Sequence, residues 1–304
     1  MTVANGRSRA VVTIGAFDGV HRGHRALLQT VVERAGALGA LSWCVTFHPH
    51  PDVVMRPRLH HAYLADRDEQ EMLIREQGIA LVQVLRFTPE MSKLTARAFI
   101  EQLSQQHLLE ELWIGPDFAL GQGRAGTAET LAHLGQEMGF RLELMPPFTR
   151  HNEVVSSTRI RGLLSDGDVT GAADLLGRPY ALLGTVQVGA GRGTPIGFPT
   201  ANVVPAHDMA LPGDGVYVIE GTADGVTWAG VANLGGRPTF GDASRLIEAH
   251  LFDFNENLHG KTLRVAFLNR IRGVQTFGSV DALVTQIRQD AETARRWFTE
   301  RAAS

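Results

Sequence analysis

Gly15-Ala16-Phe17-Asp18-Gly19-Val20-His21-Arg22-Gly23-His24 follows the apolar run Val11-Val12-Thr13-Ile14 and precedes a stripe of Leu27, Leu28, Val31 and Val32. The β-branched run reads as a buried strand, and the stripe, recurring at three to four residues, as a helix. The ten residues between them are a glycine turn leading into a helix N-terminus. Glycines at 15, 19 and 23 admit dihedrals closed to other residues and let a ligand approach the main chain. His21 and His24 are expected on one face of the first helical turn. Free amides and the positive end of the helix dipole favour an anion there. Two imidazoles beside that end make a seat for a nucleotide phosphate, with Gly15, Phe17, Asp18 and Gly23 forming the loop around it.

The pattern suits attack on the α-phosphate of ATP with loss of pyrophosphate, the chemistry of a nucleotidyltransferase. A bare His-x-x-His pair would also fit a surface turn or two metal ligands. For the metal reading, no third Cys, His or Asp stands at a useful spacing.

The 304 residues suffice for two domains, each with its own core. With 44% hydrophobic and 20% charged residues, the composition is that of an ordinary globular protein. A net charge of −3 gives no nucleic-acid or membrane footprint. The chain shows neither a signal peptide nor a run of membrane-spanning length. A lone cysteine, Cys44, excludes an internal disulfide; it lies in an apolar run and reads as an inert core thiol. These features predict a cytoplasmic protein.

Up to about residue 180 strands and helices alternate. Strands are predicted near 11–14, 41–47, 79–85, 112–115 and 140–145, and helices near 22–37, 66–77, 95–106, 127–138, 157–165 and 169–176. This order predicts a parallel sheet covered on both faces, with ligands at the carboxyl ends of its strands. From about 181 short apolar runs are split by turn signals, Ala223-Asp224-Gly225 among them, as in an antiparallel barrel or sandwich. A final helix begins after Ser279, with Leu283, Ile287 and Ala291 on one face. The expected organisation is 1–180 and 181–304.

Further motifs follow the predicted strands. Ser157 and Thr158 enter a helix, and Arg161 lies one turn on; they read either as a phosphate fork or as an ordinary cap with solvated arginines. Gly115–Gly126, holding Asp117, is a glycine-rich loop that could close over a base or phosphate. His48 and His50 sit between prolines in an extended loop, as phosphate or ribose contacts or as plain loop residues. His60 and His61 have no companion motif and are expected on the surface. In the second half, Gly189–Gly197, with Gly191 and Gly193, is a glycine arch before Thr200-Ala201-Asn202. If extended, Thr200 and Asn202 share a face, and their oxygens suit Mg²⁺ carrying nucleotide phosphates; polar residues on an exposed strand fit equally. Alternation puts Glu248 and His250 opposite Ile247, Ala249 and Leu251, where Glu248 is either a general base or a solvated strand carboxylate.

Together these motifs, with Leu176–Tyr180, Gly215–Tyr217, Gly235–Phe240 and Phe277–Asp290, make the chain resemble the bifunctional bacterial riboflavin kinase/FMN adenylyltransferase (FAD synthetase) family over nearly its whole length. The resemblance implies a Rossmann-like α/β nucleotidyltransferase domain and an antiparallel β-barrel riboflavin kinase domain with a terminal helix. It implies that riboflavin is phosphorylated to FMN, and FMN adenylylated to FAD, with ATP as co-substrate and Mg²⁺ as cofactor. By matching position, His21 and His24 hold ATP phosphates and the transition state, and Ser157, Thr158 and Arg161 complete that site near Asp117. Thr200 and Asn202 serve Mg-ATP in the kinase, within a nucleotide-binding stretch that includes Gly191 and Gly193, and Glu248 is its base. Leu120, His259 and Val274 depart from the family pattern. The rival readings are a one-activity enzyme, a non-catalytic flavin or nucleotide sensor, and a nucleotidyltransferase for another phosphate such as a pantetheine phosphate. The last leaves the second half unexplained.

Overall fold

A computed structural model describes residues 7–58, 61–188, 197–205, 208–236 and 245–303. The chain divides into two compact units, Met1–Ser157 and Thr158–Ser304.

The first unit alternates β1 (Arg9–Ile14), α1 (Arg22–Leu38), β2 (Leu41–His48), a short α2 (Pro51–Met55), α3 (Arg67–Arg75), β3 (Leu81–Arg86), α4 (Ala96–Gln106), β4 (Leu108–Ile114), α5 (Ala128–Met138) and β5 (Arg141–Leu144). A small hairpin, β6 (Thr149–Arg150) and β7 (Glu153–Val154), follows. The sheet is parallel, with strand order β3-β2-β1-β4-β5. Period-two alternation in β1 feeds both of its faces. Ala10, Val12 and Ile14 join one core with α4 and α5, and Val11 joins the other with α1 and α3. Because β1 leads back to β2 on one side and forward to β4 on the other, strand order reverses between β1 and β4. Ligands of such sheets bind at that switch point, beyond the carboxyl ends of the strands.

One buried carboxylate ties this unit together. Glu111 on β4 is fully buried. It accepts from Arg34 of α1 at 2.6 and 3.1 Å, from Trp113 Nε1 at 2.8 Å, and from Arg141. The Arg34 hydrogen bond leads the causes that hold its pKa down at about 2, against burial, which acts the other way. A carboxylate with a depressed folded pKa contributes stability above its unfolded pKa and loses it as pH falls toward the folded one. The shift from 4.5 to about 2 corresponds to roughly 3 kcal/mol at neutral pH. Glu111→Gln should therefore lower the thermal midpoint at pH 7 and flatten its fall between about pH 5 and 2. A variant with an unchanged acid limb would show that Glu111 is not the titrating group.

The second unit opens with α6 (Ser157–Ser165), whose first residue belongs to unit one, and α7 (Val169–Leu176). Then come β8 (Tyr180–Gln187), β9 (Ala201–Pro205), β10 (Gly215–Ala223), β11 (Val226–Gly236), β12 (Arg245–Leu251), β13 (Thr262–Arg272) and α8 (Val280–Ala302). The strands close a barrel in the order β10-β11-β12-β9-β8-β13, every neighbouring pair antiparallel. Closure removes exposed strand edges. Asp224 and Gly225, both at positive φ, form the two-residue β10–β11 turn. Ser279 caps α8, whose Ala291 and Ala294 pack on Val216, Val218, Val231 and Leu268. Arg272 grips buried Asp290 at 2.7 Å, fixing α8 to the end of β13.

Where the sequence reading put the change at 180, the antiparallel strands do begin at Tyr180, but α6 and α7 are part of the second compact unit. Val169, Leu175 and Leu176 are buried, and the closest strands to α7 are β8 and β13.

Candidate active sites

The loop leaving β1 carries the first site. Gly15 N–H donates to Val45 O at 3.1 Å, continuing the sheet past β1. The chain then turns sharply, with positive φ at Phe17, Gly19 and Val20. Gly15 and Gly23 do not share that conformation. Their surroundings are tight instead: a Cβ at Gly15 would lie 3.0 Å from the Phe17 ring, and one at Gly23 3.3 Å from the His21 ring. Of the three glycines, only Gly19 has the unusual dihedral expected from the sequence.

His21 is the residue that caps α1 rather than a member of its first turn. Its Nδ1 accepts from the His24 N–H at 3.2 Å. In the neutral ring Nε2 then carries the proton and is a donor. The two imidazoles stack at 3.6 Å and 14°. His24 is held well below the usual histidine pKa by burial and by the neighbouring His21. Its Nδ1 is buried with no hydrogen-bond partner. Phe17 is buried and meets His24 edge-on, fixing the second ring. Two stacked imidazoles, His24 held neutral, therefore stand at the free end of α1 and the carboxyl end of β1.

The carboxylate of Asp18 is turned into the protein, 3% exposed, accepting from Leu64 N–H at 2.9 Å, while its carbonyl accepts from Ser157 Oγ at 3.0 Å. Ala16 O accepts from Gln70 Nε2 and from Thr46 Oγ1. These bonds from three distant segments hold the motif loop in shape.

His61 is not the surface residue expected from the sequence. Its side chain is 10% exposed, its Nε2 lies 3.8 Å from Asp18 Oδ2, and its ring stacks on His50 at 4.0 Å. Its neighbours there, Asp18 across 43 residues and the His50 and Tyr63 rings, are not disclosed by any local pattern. His60 lies outside the described residues. His50 caps α2, its Nδ1 accepting from Asp52 N–H at 3.1 Å. His50, Asp52 and His61 offer donor atoms within 4.8 Å of one another. The Asp52 amide occupies His50 Nδ1, so only Nε2 of that ring is open to a further ligand. His48 ends β2, paired in register with Arg86, and the two line a cavity of about 360 Å³ with Arg67.

Asp117 is exposed in the turn after β4, the strand beside β1. Its carbonyl accepts from Arg124 at 2.8 Å, and Leu120 and Gly126 exchange main-chain bonds that close the glycine loop on itself. Ser157, Thr158 and Arg161 all lie on α6, and 157 and 161 share a face.

On the barrel, Glu248 of β12 sits between Asn202 of β9 and Asn233 of β11, directly in register with each. Asn233 Nδ2 donates to Glu248 Oε2 at 3.3 Å. Ile247, Ala249 and Leu251 are buried on the other face, as alternation predicts. Asn202 is 8% exposed, whereas Thr200 is exposed just before the strand. Gly191 and Gly193 lie outside the described residues. The sequence reading missed Asn233, which has no motif of its own and becomes visible only through the β11–β12 register.

Two family models match successive parts of the chain. Residues 4–159 match the FAD synthetase family and residues 176–298 the riboflavin kinase family. The bifunctional riboflavin kinase/FMN adenylyltransferase of Escherichia coli K12 is 38% identical over 290 residues, covering 95% of this chain and 92% of that one. The chain belongs to the bifunctional riboflavin kinase/FMN adenylyltransferase family. The family's enzyme from Pseudomonas fluorescens is 38% identical over 94% of this chain and 92% of its own. A crystal structure described as a macrolide-efflux protein from Streptococcus pneumoniae shares the fold, with TM-score 0.88 and 32% identity over 95% of both chains. No described helix of the present chain is long and apolar enough to cross a membrane.

Proposed function

We propose that the parallel-sheet unit transfers AMP from ATP to FMN and that the barrel transfers the γ-phosphate of ATP to riboflavin. The observation that carries this reading is the presence of two unlike polar constellations on two separate folds: stacked imidazoles at the β1/β4 switch point, and a carboxylate between two asparagines on a barrel wall.

In the first reaction an FMN phosphate oxygen attacks the α-phosphorus, and the bond to pyrophosphate breaks. His21 Nε2–H and the α1 amides face the charge that gathers on the phosphoryl oxygens, with His24 as the second imidazole. Ser157, Thr158 and Arg161 bind the departing pyrophosphate, and Gly15, Gly23 and Asp117 shape the nucleotide seat. Phe17 and Asp18 act on that seat from inside, one against His24 and the other on Leu64.

In the second reaction Glu248 accepts the proton of the riboflavin hydroxyl as its oxygen attacks the γ-phosphorus and ADP leaves. Positioning outweighs basicity in phosphoryl transfer, so Asn233 matters by aiming Glu248. Hydroxyl, amide and carboxylate oxygens from Thr200, Asn202 and Glu248 are a hard donor set, which fits Mg²⁺ and not a thiophilic metal. Thr200 and Asn202 are the residues that would hold it, and the ion would reduce repulsion between the ATP phosphates and the attacking oxygen. Asn202→Ala should cut FMN formation by about 10²-fold, the scale of one lost electrostatic stabiliser, and leave conversion of supplied FMN to FAD intact. Equal losses in the two reactions would contradict separate sites.

A further inference from the structure

We propose that His250 is a positioning residue of the kinase site, holding the Pro199 carbonyl and so setting Thr200 and Asn202 in place beside Glu248. The inference rests on the reading of Thr200, Asn202 and Glu248 given above. The β9–β12 ladder pairs Ile247 with Val203, Glu248 with Asn202, and Ala249 with Ala201, and there it stops. Continued, it would set His250 opposite Thr200 and Leu251 opposite Pro199. Pro199 has no N–H to donate, so the main chain cannot carry the ladder onward. Thr200 is thus left outside the paired strand, next to the one residue that cannot tie it down.

The His250 side chain supplies the missing tie. Its Nδ1 lies 2.8 Å from Pro199 O. A carbonyl only accepts, so Nδ1 carries the proton. The ring also meets Phe198 at 5.3 Å and Phe252 at 5.8 Å, both edge-on. Phe252 is in turn covered by Arg295 of α8 at 4.2 Å, which also binds Asp253 at 3.1 Å. A continuous set of contacts therefore runs from α8 through Phe252 and His250 to the residue preceding Thr200. His250 shares a strand face with Glu248, so the tie and the base are set by the same stretch of β12.

The test compares three variants in the full-length protein. His250→Asn keeps a donor at the δ position, His250→Gln moves it one carbon outward, and His250→Phe keeps the ring without a donor. Kinase kcat and KM for Mg-ATP are measured beside adenylylation of supplied FMN and the thermal midpoint. We expect the Gln and Phe variants to lose about tenfold in kinase kcat/KM, mainly through KM for Mg-ATP, the scale of one neutral hydrogen bond. The Asn variant should stay within about threefold of wild type, and adenylylation should not change in any of them. Should the Phe variant fold poorly, the Asn and Gln pair still decides. The proposal is overturned if Asn and Gln behave alike, whether both active or both impaired. Asn202→Ala is assayed alongside. If it leaves the kinase intact, the reading of the site itself has failed; if it disables the kinase while the Gln variant is wild type, only the role of His250 has.

Discussion

Replacing His21 or His24 with alanine is expected to slow FAD formation from FMN by about 10²–10³-fold, the range for a single lost transition-state donor. FMN formation from riboflavin should continue at the wild-type rate. The expectation rests on how the two rings are held. His21 uses Nδ1 to cap α1, and its Nε2–H is the donor proposed for a phosphoryl oxygen. His24 stacks on it at 3.6 Å and is kept neutral by burial and by that neighbour, since two imidazolium ions so close would repel. Loss of the cap alone costs about 1 kcal/mol of stability, so an alanine at 21 mixes two effects. His21→Asn separates them: asparagine is a good cap but brings no donor to the Nε2 position. That variant should melt like wild type and still lose adenylylation. Wild-type FAD synthesis by His21→Asn would remove the imidazole from the chemistry and leave it a helix cap.

Glu248→Gln should lower riboflavin phosphorylation by about 10²–10⁴-fold, the usual contribution of a positioned general base. The substitution keeps shape and an oxygen acceptor for Asn233, so the β11–β12 pairing survives. It removes only the carboxylate proposed to take the hydroxyl proton. ATP binding should change little, because the group acts on the acceptor, and adenylylation of supplied FMN should proceed normally. The measurement is steady-state kinase turnover beside an ATP titration on one preparation. Phosphorylation at the wild-type rate would make Glu248 a strand carboxylate and send the search for a base elsewhere on the barrel.

What could be read from the sequence was what short-range pattern encodes. The run before Gly15, the stripe after His24 and the Ser279 cap all express local periodicity or capping, and the elements formed where those signals lay. Glu248 and its buried neighbours obeyed simple alternation. The unread features depend on chain segments far apart. Asp18 finds Leu64 N–H across 46 residues, and Gln70 reaches Ala16 across 54. His61 lies beside the same carboxylate and stacks on His50. The strand through Asn202 was open to reading, but its burial was not, since a polar residue there pointed to an exposed face. The glycines at 15 and 23 were legible, but for the wrong reason, since only the packed Phe17 and His21 rings reveal that the tightness there is one of space and not of φ. Asn233 and the tie from His250 to Pro199 appear only when the barrel register is known.

The central claim is that one chain carries two separate ATP-dependent sites acting in sequence on a flavin. The most direct measurement incubates the purified full-length protein with riboflavin and Mg-ATP and separates riboflavin, FMN and FAD over time. The account predicts that riboflavin falls, FMN rises first, FAD follows, and pyrophosphate accumulates in step with FAD. FAD appearing without FMN, or FMN accumulating with no FAD even when FMN is supplied, would contradict it.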